Sequence, residues 1–138
     1  MKTLISLFAI TLFSSSCNTH SQESKPVSIS DLNYMEISLE NDEPWIANIE
    51  TTQGVAKMLN LVQGFSRDYS VLQSNLEYEF QILFLKCSMT GEAHNQLHNY
   101  LIPMVVIFED IAKDDVEVSA LAVEKLKLHL EGYSLFFE

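Results

Sequence analysis

DYSVLQSNLEYEFQILFLKCSMTGEAHNQLHNYLIPMVVIFEDI, residues 68 to 111, is the stretch on which the fold turns. Its apolar residues Tyr69, Leu72, Leu76, Phe80, Leu83 and Cys87 follow one another at three, four, four, three and four, a spacing that places them on one face of a helix. Asp68 stands just ahead, where a short acidic side chain accepts from the first unpaired backbone N–H groups. A second stripe, His94, Leu97, Leu101, Met104, Phe108 and Ile111, repeats the period. Only Ser88 to Gly91 separate the two stripes, a link too short for anything but an antiparallel helical hairpin. Cys87 falls on the buried seam, in the last turn of the first of these helices. Pro103 lies inside the second stripe, lacks the N–H that would reach the carbonyl of Asn99, and predicts a kink just beyond the histidines.

Outward from this hairpin the same logic gives a helix on either side. Toward the N-terminus, Val55, Met58, Val62 and Phe65 share a face, and Gly64 with Ser66 marks the end of their helix. Asn41-Asp42-Glu43-Pro44-Trp45 reads as its start, with Asn48 as a second possible starting point. Toward the C-terminus, Asp114 with Glu117 three residues on matches a capping box. The inner face beyond it is expected to carry Ala120, Val123, Leu126, Leu130, Tyr133 and Phe137. Four helices of roughly 18 to 23 residues with short links imply an all-α domain over residues 41–138, an antiparallel up-down-up-down four-helix bundle. Trp45 and the Phe136-Phe137 pair read as core or bundle-end packing.

Residues 1–16 stand apart. Lys2 precedes the apolar run LISLFAITLF, which is too short to span a bilayer and has the pattern of a secretory signal peptide. Ser14-Ser15-Ser16-Cys17 then resembles the lipobox of bacterial lipoproteins, which implies cleavage before Cys17 and acylation of its thiol. Residues 17–40 read as the lipidated Cys followed by a flexible tether, with Ile37-Ser38-Leu39-Glu40 as a short extended segment. The expected location is the cell envelope, anchored to a membrane by lipid and facing the periplasm.

The 138 residues carry 19 acids against 8 basic residues, a net charge of −11. Loss of Lys2 with the leader takes the mature chain to −12, since residues 1–16 hold no acid. Such a charge excludes nucleic acid as a partner and favours cations or a basic envelope protein. Glu109, Asp110, Asp114, Asp115 and Glu117 crowd one turn without the spacing of a calcium loop, and read as a solvated turn with a cap. Acylation of Cys17 leaves Cys87 without an intramolecular mate, so in an oxidising compartment its thiol must be buried, metal-bound or used.

Cys87, Met89, His94 and His98 are the candidate site. His94 and His98 are neighbours on one helical face, and the hairpin brings thiol, thioether and imidazoles to one end of the bundle. That donor set suits copper as Cu(I), with zinc second because Met is a poor zinc ligand. The plainer reading of each is structural: Cys87 as a small core hydrophobe, Met89 as an end plug, His94 bonded to a loop, His98 a surface residue. A Cys87–His94 nucleophile has no evident orienting acid or oxyanion donor, and haem attachment would need C-x-x-C-H. The expectation is therefore a non-enzymatic protein that binds a soft metal, with a structural or protein-interaction module as the alternative.

Trp45-Ile46-Ala47-Asn48, the run Cys87 to Pro103 and the aromatic ending Tyr133 to Glu138 together resemble an uncharacterised family of small bacterial envelope lipoproteins. Its members share a C-x-M-x-G-x-x-H-x-x-L-H motif followed by Pro. The resemblance spans Trp45 to Glu138 and implies a lipid anchor and a helical hairpin, with no established activity attached. Members often place Met and His near the start of the first helix and a His directly after the Pro. Thr51, Gly54 and Met104 stand there in this chain, so any ligands at those positions in relatives are missing here.

Overall fold

The computed structural model describes residues 37–138, so the leader, Cys17 and the greater part of the tether lie outside the described residues. Four helices follow in order, α1 (Ile49–Gln63), α2 (Tyr69–Lys86), α3 (Gly91–Ile111) and α4 (Val116–Glu131), and a short 3-10 turn covers Gly132–Leu135. No strand forms among the described residues, only two isolated bridges. The helices have 15, 18, 21 and 16 residues, so α1 and α4 are shorter than their apolar stripes suggested. α1 is cut back because Asn41 and Asp42 do not begin a helix. Both have positive φ, 54° and 70°, a conformation that Asn and Asp tolerate better than most residues. Glu40 and Glu43 exchange both backbone hydrogen bonds around them, at 2.9 and 3.0 Å, making a tight hairpin turn. Asn48 then caps α1 in extended geometry, and its side-chain oxygen accepts from the Thr51 hydroxyl at 2.7 Å.

Each helix buries one face in a common core. Val55, Met58 and Val62 come from α1, Leu72, Leu76 and Leu83 from α2, and Leu97, Leu101, Met104, Phe108 and Ile111 from α3. These are positions that the spacing picked out. α3 runs unbroken through Pro103. Phe80 meets Phe108 edge-on at 5.3 Å, and the Gln73 amide donates to the Phe108 carbonyl at 3.0 Å. Gly54 faces Leu83 so closely that a Cβ there would lie 3.1 Å from its Cδ1, so any larger residue would require Leu83 to give by a few tenths of an ångström.

The expected inner face of α4 and the tail holds at Leu126, Leu130, Tyr133 and Phe137, all buried, and fails in the first turns. Asp115, not Asp114, is the cap of α4, with its carboxylate accepting from the N–H groups of Glu117 and Val118. Ala120 is exposed and Val123 only half-buried, whereas Ser119, Ala122, Leu126, His129 and Leu130 form the inner face. A stripe chosen from apolar residues alone misses this, because two of the inward positions are polar. Ser119 tolerates burial by donating to the carbonyls of Lys113 and Asp115, both at 3.1 Å.

One end of the bundle is closed by its own termini. Trp45 pairs in parallel with Phe137: its N–H donates to the Phe136 carbonyl at 2.8 Å, and its carbonyl accepts from the N–H of Glu138 at 3.0 Å. The Trp45 indole N–H donates to the Ser38 carbonyl at 2.6 Å, and the Ser38 N–H donates to Gln96 Oε1 at 2.9 Å. The Gln96 amide donates in turn to Glu92 at 2.6 Å, and with Asn95 it holds that exposed carboxyl below the usual carboxylate range. Residues 37–48 thus form a strap from the first turns of α3 to the C-terminal tail. This is the end where α2 turns into α3.

Candidate functional site

Cys87 is the residue at which α2 stops. Its φ and ψ, −63° and 121°, are extended, and its N–H still bonds to the Leu83 carbonyl at 2.9 Å, so the thiol is held one residue past the last helical turn. Thr90 is likewise extended, and Gly91, with φ of 66°, turns the chain into α3 through a conformation that a Cβ would oppose. The four-residue link folds the chain so that Cys87 Sγ comes within 3.7 Å of His94 Nδ1. That is a sulfur–nitrogen hydrogen bond, with the proton on either atom according to the tautomer.

His98 stands one turn further along α3. Its ring lies 4.5 Å from that of His94, centroid to centroid, and meets the Phe84 ring edge-on at 5.7 Å. Both rings and the Cys87 thiol are half-buried, so the group sits at the rim of the bundle. Met89, in the link, packs against the apolar core. Of the four residues the sequence picked out, the fold therefore joins Cys87 to His94, sets His98 edge-on to His94, and uses Met89 as core filling. Among the described residues, no group of three or more His, Cys, Asp and Glu side chains is arranged to hold a metal ion.

Deeper in, the thiol has a neighbour that the spacing did not reveal. Burial raises the Tyr133 hydroxyl above the ordinary phenol range, a hydrogen bond with Thr52 opposes the rise, and negative charge at Cys87 adds to it. The Tyr133 and Thr52 hydroxyls are 3.2 Å apart. Asn48 ties the start of α1 to the same corner, donating to the Lys86 carbonyl at 3.2 Å. The tip is thus assembled from α1, α2, α3 and the 3-10 turn.

His129 is the polar residue that the sequence reading passed over. It is 2 % exposed, and its Nε2 lies 2.8 Å from the carbonyl oxygen of Tyr100, to which it donates. The Tyr100 hydroxyl donates back to the His129 carbonyl, also at 2.8 Å, and the two rings stack at 4.3 Å. Burial pushes the imidazole down to about 4, against the opposing effect of its bond to Tyr100. Its place at 126, 129, 130 and 133 on the inward stripe was the signal that could have found it.

No protein-family model matches the chain, and no curated protein or solved structure is found to be similar to it. No helix of the described residues is long and apolar enough to cross a membrane.

Proposed function

We propose that this is a non-enzymatic, lipid-anchored protein of the cell envelope, an up-down-up-down bundle facing the periplasm, whose α2–α3 tip binds a soft metal ion. The observation that carries the reading is the contact of Cys87 Sγ and His94 Nδ1 at 3.7 Å on the rim of the fold. With bonds of about 2.3 Å to sulfur and 2.0 Å to nitrogen, donors at that separation subtend roughly 115 to 120° at a shared ion. An ion could therefore replace the hydrogen bond without moving either side chain far. Cu(I) fits this pair better than Zn(II), since it is satisfied by two or three soft donors, whereas zinc in structural sites takes four. His98, its ring 4.5 Å from that of His94, is the second imidazole, and Met89 would add a thioether only on turning out of the core. The strong negative charge of the chain favours any cation that approaches.

The test is titration of the full chain with Cu(I), and separately with Zn(II), beside Cys87→Ser and His94→Ala. Each substitution is expected to weaken Cu(I) at least about tenfold, because removing a direct ligand should cost no less than the outer changes that cost 10 to 100-fold. Loss smaller than that in both variants, with unfolding of the metal-free proteins unchanged, would overturn the reading. The anchor rests on Ser14-Ser15-Ser16-Cys17 and on the resemblance to envelope lipoproteins. Cys17→Ser should move the protein from the membrane fraction to the soluble one; unaltered fractionation would count against acylation.

A second reading, a helical interaction module, is favoured by a different observation. Phe84 and Leu85 on α2 and Ile102, Val105 and Val106 on α3 are all exposed.

A further inference from the structure

We propose that two copies of the chain associate through the outward face of α2, antiparallel and centred on Tyr78. α2 is apolar on its outer side as well as its inner one: Val71, Tyr78 and Leu85 are 53 %, 61 % and 81 % exposed. They are seven residues apart, the spacing at which one helix lies lengthwise along another. The occupant is thus a helix, and the symmetry of the stripe says which one. Val71 and Leu85 are equidistant from Tyr78, so a second α2 laid antiparallel sets Tyr78 against Tyr78 and Val71 against Leu85 at both ends. A self-complementary patch of this kind is what a two-fold contact requires.

Charge and area point the same way. Two chains each carrying −11 repel, so they can meet only where acids are sparse. The runs Phe80 to Leu85 and His94 to Phe108 contain no Asp, Glu, Lys or Arg; Glu77 and Glu79 flank Tyr78, and Lys57 lies 3.4 Å from Glu79. Beside the stripe, Phe80, Gln81, Phe84 and Leu85 line an open apolar groove of about 380 Å³. The Phe84 ring carries this surface across to His98, and Ile102, Val105 and Val106 continue it along α3. Given 150 to 250 Å² for a buried aromatic side chain and less for an aliphatic one, the exposed fractions come to roughly 600 Å² per copy. A two-fold contact would then remove about 1,200 Å² from water, the lower edge of a stable specific interface and well above an ordinary lattice contact.

The experiment is sedimentation equilibrium of the full chain, with a chelator present so that the metal reading plays no part, over about 1 to 100 μM. Wild type is expected to shift from monomer to dimer within that range. Tyr78→Glu with Leu85→Glu, which sets two carboxylates against each other at the two-fold axis and one against Val71 at each end, is expected to stay monomeric with unchanged helicity. The N-terminal apolar run is common to both chains, so only association sensitive to these substitutions counts as support. Monomeric wild type throughout, or a dimer indifferent to the double substitution, overturns the proposal. So does a monomer that binds zwitterionic lipid vesicles through the same residues, which would give the face to a membrane instead.

Discussion

Two histidines of this bundle sit against a partner from another turn or helix, and they are opposites. His129 is buried, its ring is stacked on Tyr100, and its Nε2 is matched by a carbonyl at 2.8 Å. His94 is half-buried and faces a sulfur at 3.7 Å, a longer and softer contact. The first has committed its chemistry to joining α3 to α4, because a buried polar ring without partners would cost more than it contributes. The second keeps a lone pair or a proton facing a thiol at the edge of solvent, where a ligand can displace the bond cheaply. Burial and saturation make a strut; exposure and a weak partner make a place where something else can bind.

The largest effects should fall on the strut. His129→Ala removes a fully packed ring and its hydrogen bond to the Tyr100 carbonyl, and is expected to lower unfolding free energy by about 2 to 4 kcal/mol in a denaturant titration. The pH dependence follows from the same burial. The folded chain keeps the imidazole neutral down to about pH 4, while in the unfolded chain it takes a proton near 6.5. Between those values the unfolded state binds more protons, so stability falls as the pH falls through that window. The loss should reach about 3 kcal/mol once the pH is below 4. His129→Asn, which cannot titrate there, should flatten this limb of the profile. If wild type and variant decline in parallel between pH 6.5 and 4, the contrast between the two histidines collapses, and the carboxylates alone govern acid stability.

How far each region could be read in advance also follows from chemistry. The hairpin was legible because its apolar residues recur at helical spacing and its link is four residues long, and Cys87 and His94 did come together from that argument alone. The inward face of α4 was legible only in part, because Ser119 and His129 are inward and polar, and a stripe built from apolar residues steps over them. The start of α1 was misleading for a different reason. Acids before a Pro suit a helix N-terminus, yet Asn41-Asp42 equally suit a tight turn, and only the pairing of Trp45 with the C-terminal tail decides between them. That pairing links residues about ninety positions apart, which no local pattern records. Trp45, Gln96 and Tyr133 owe their roles to such distant contacts.

The smallest expected effect sharpens the comparison most, because it separates geometry from stability at the tip. Gly91 has φ of 66° with nothing within 4 Å of where a Cβ would stand, so Gly91→Ala meets no clash. Its cost is conformational alone, about 1 to 2 kcal/mol for an L-residue held in the left-handed region. The alternative open to the chain is to relax that φ, which would swing the first turn of α3 and draw His94 away from Cys87. In the first case thermal unfolding shifts by a few degrees and Cu(I) affinity is kept. In the second, stability is almost unchanged and affinity falls. Tyr100 and His129 lie well inside the bundle and should be untouched either way, so the acid limb of the stability profile should survive intact. A tip whose metal affinity follows Gly91 while the strut's titration does not would mean that the two histidines answer to different parts of the fold.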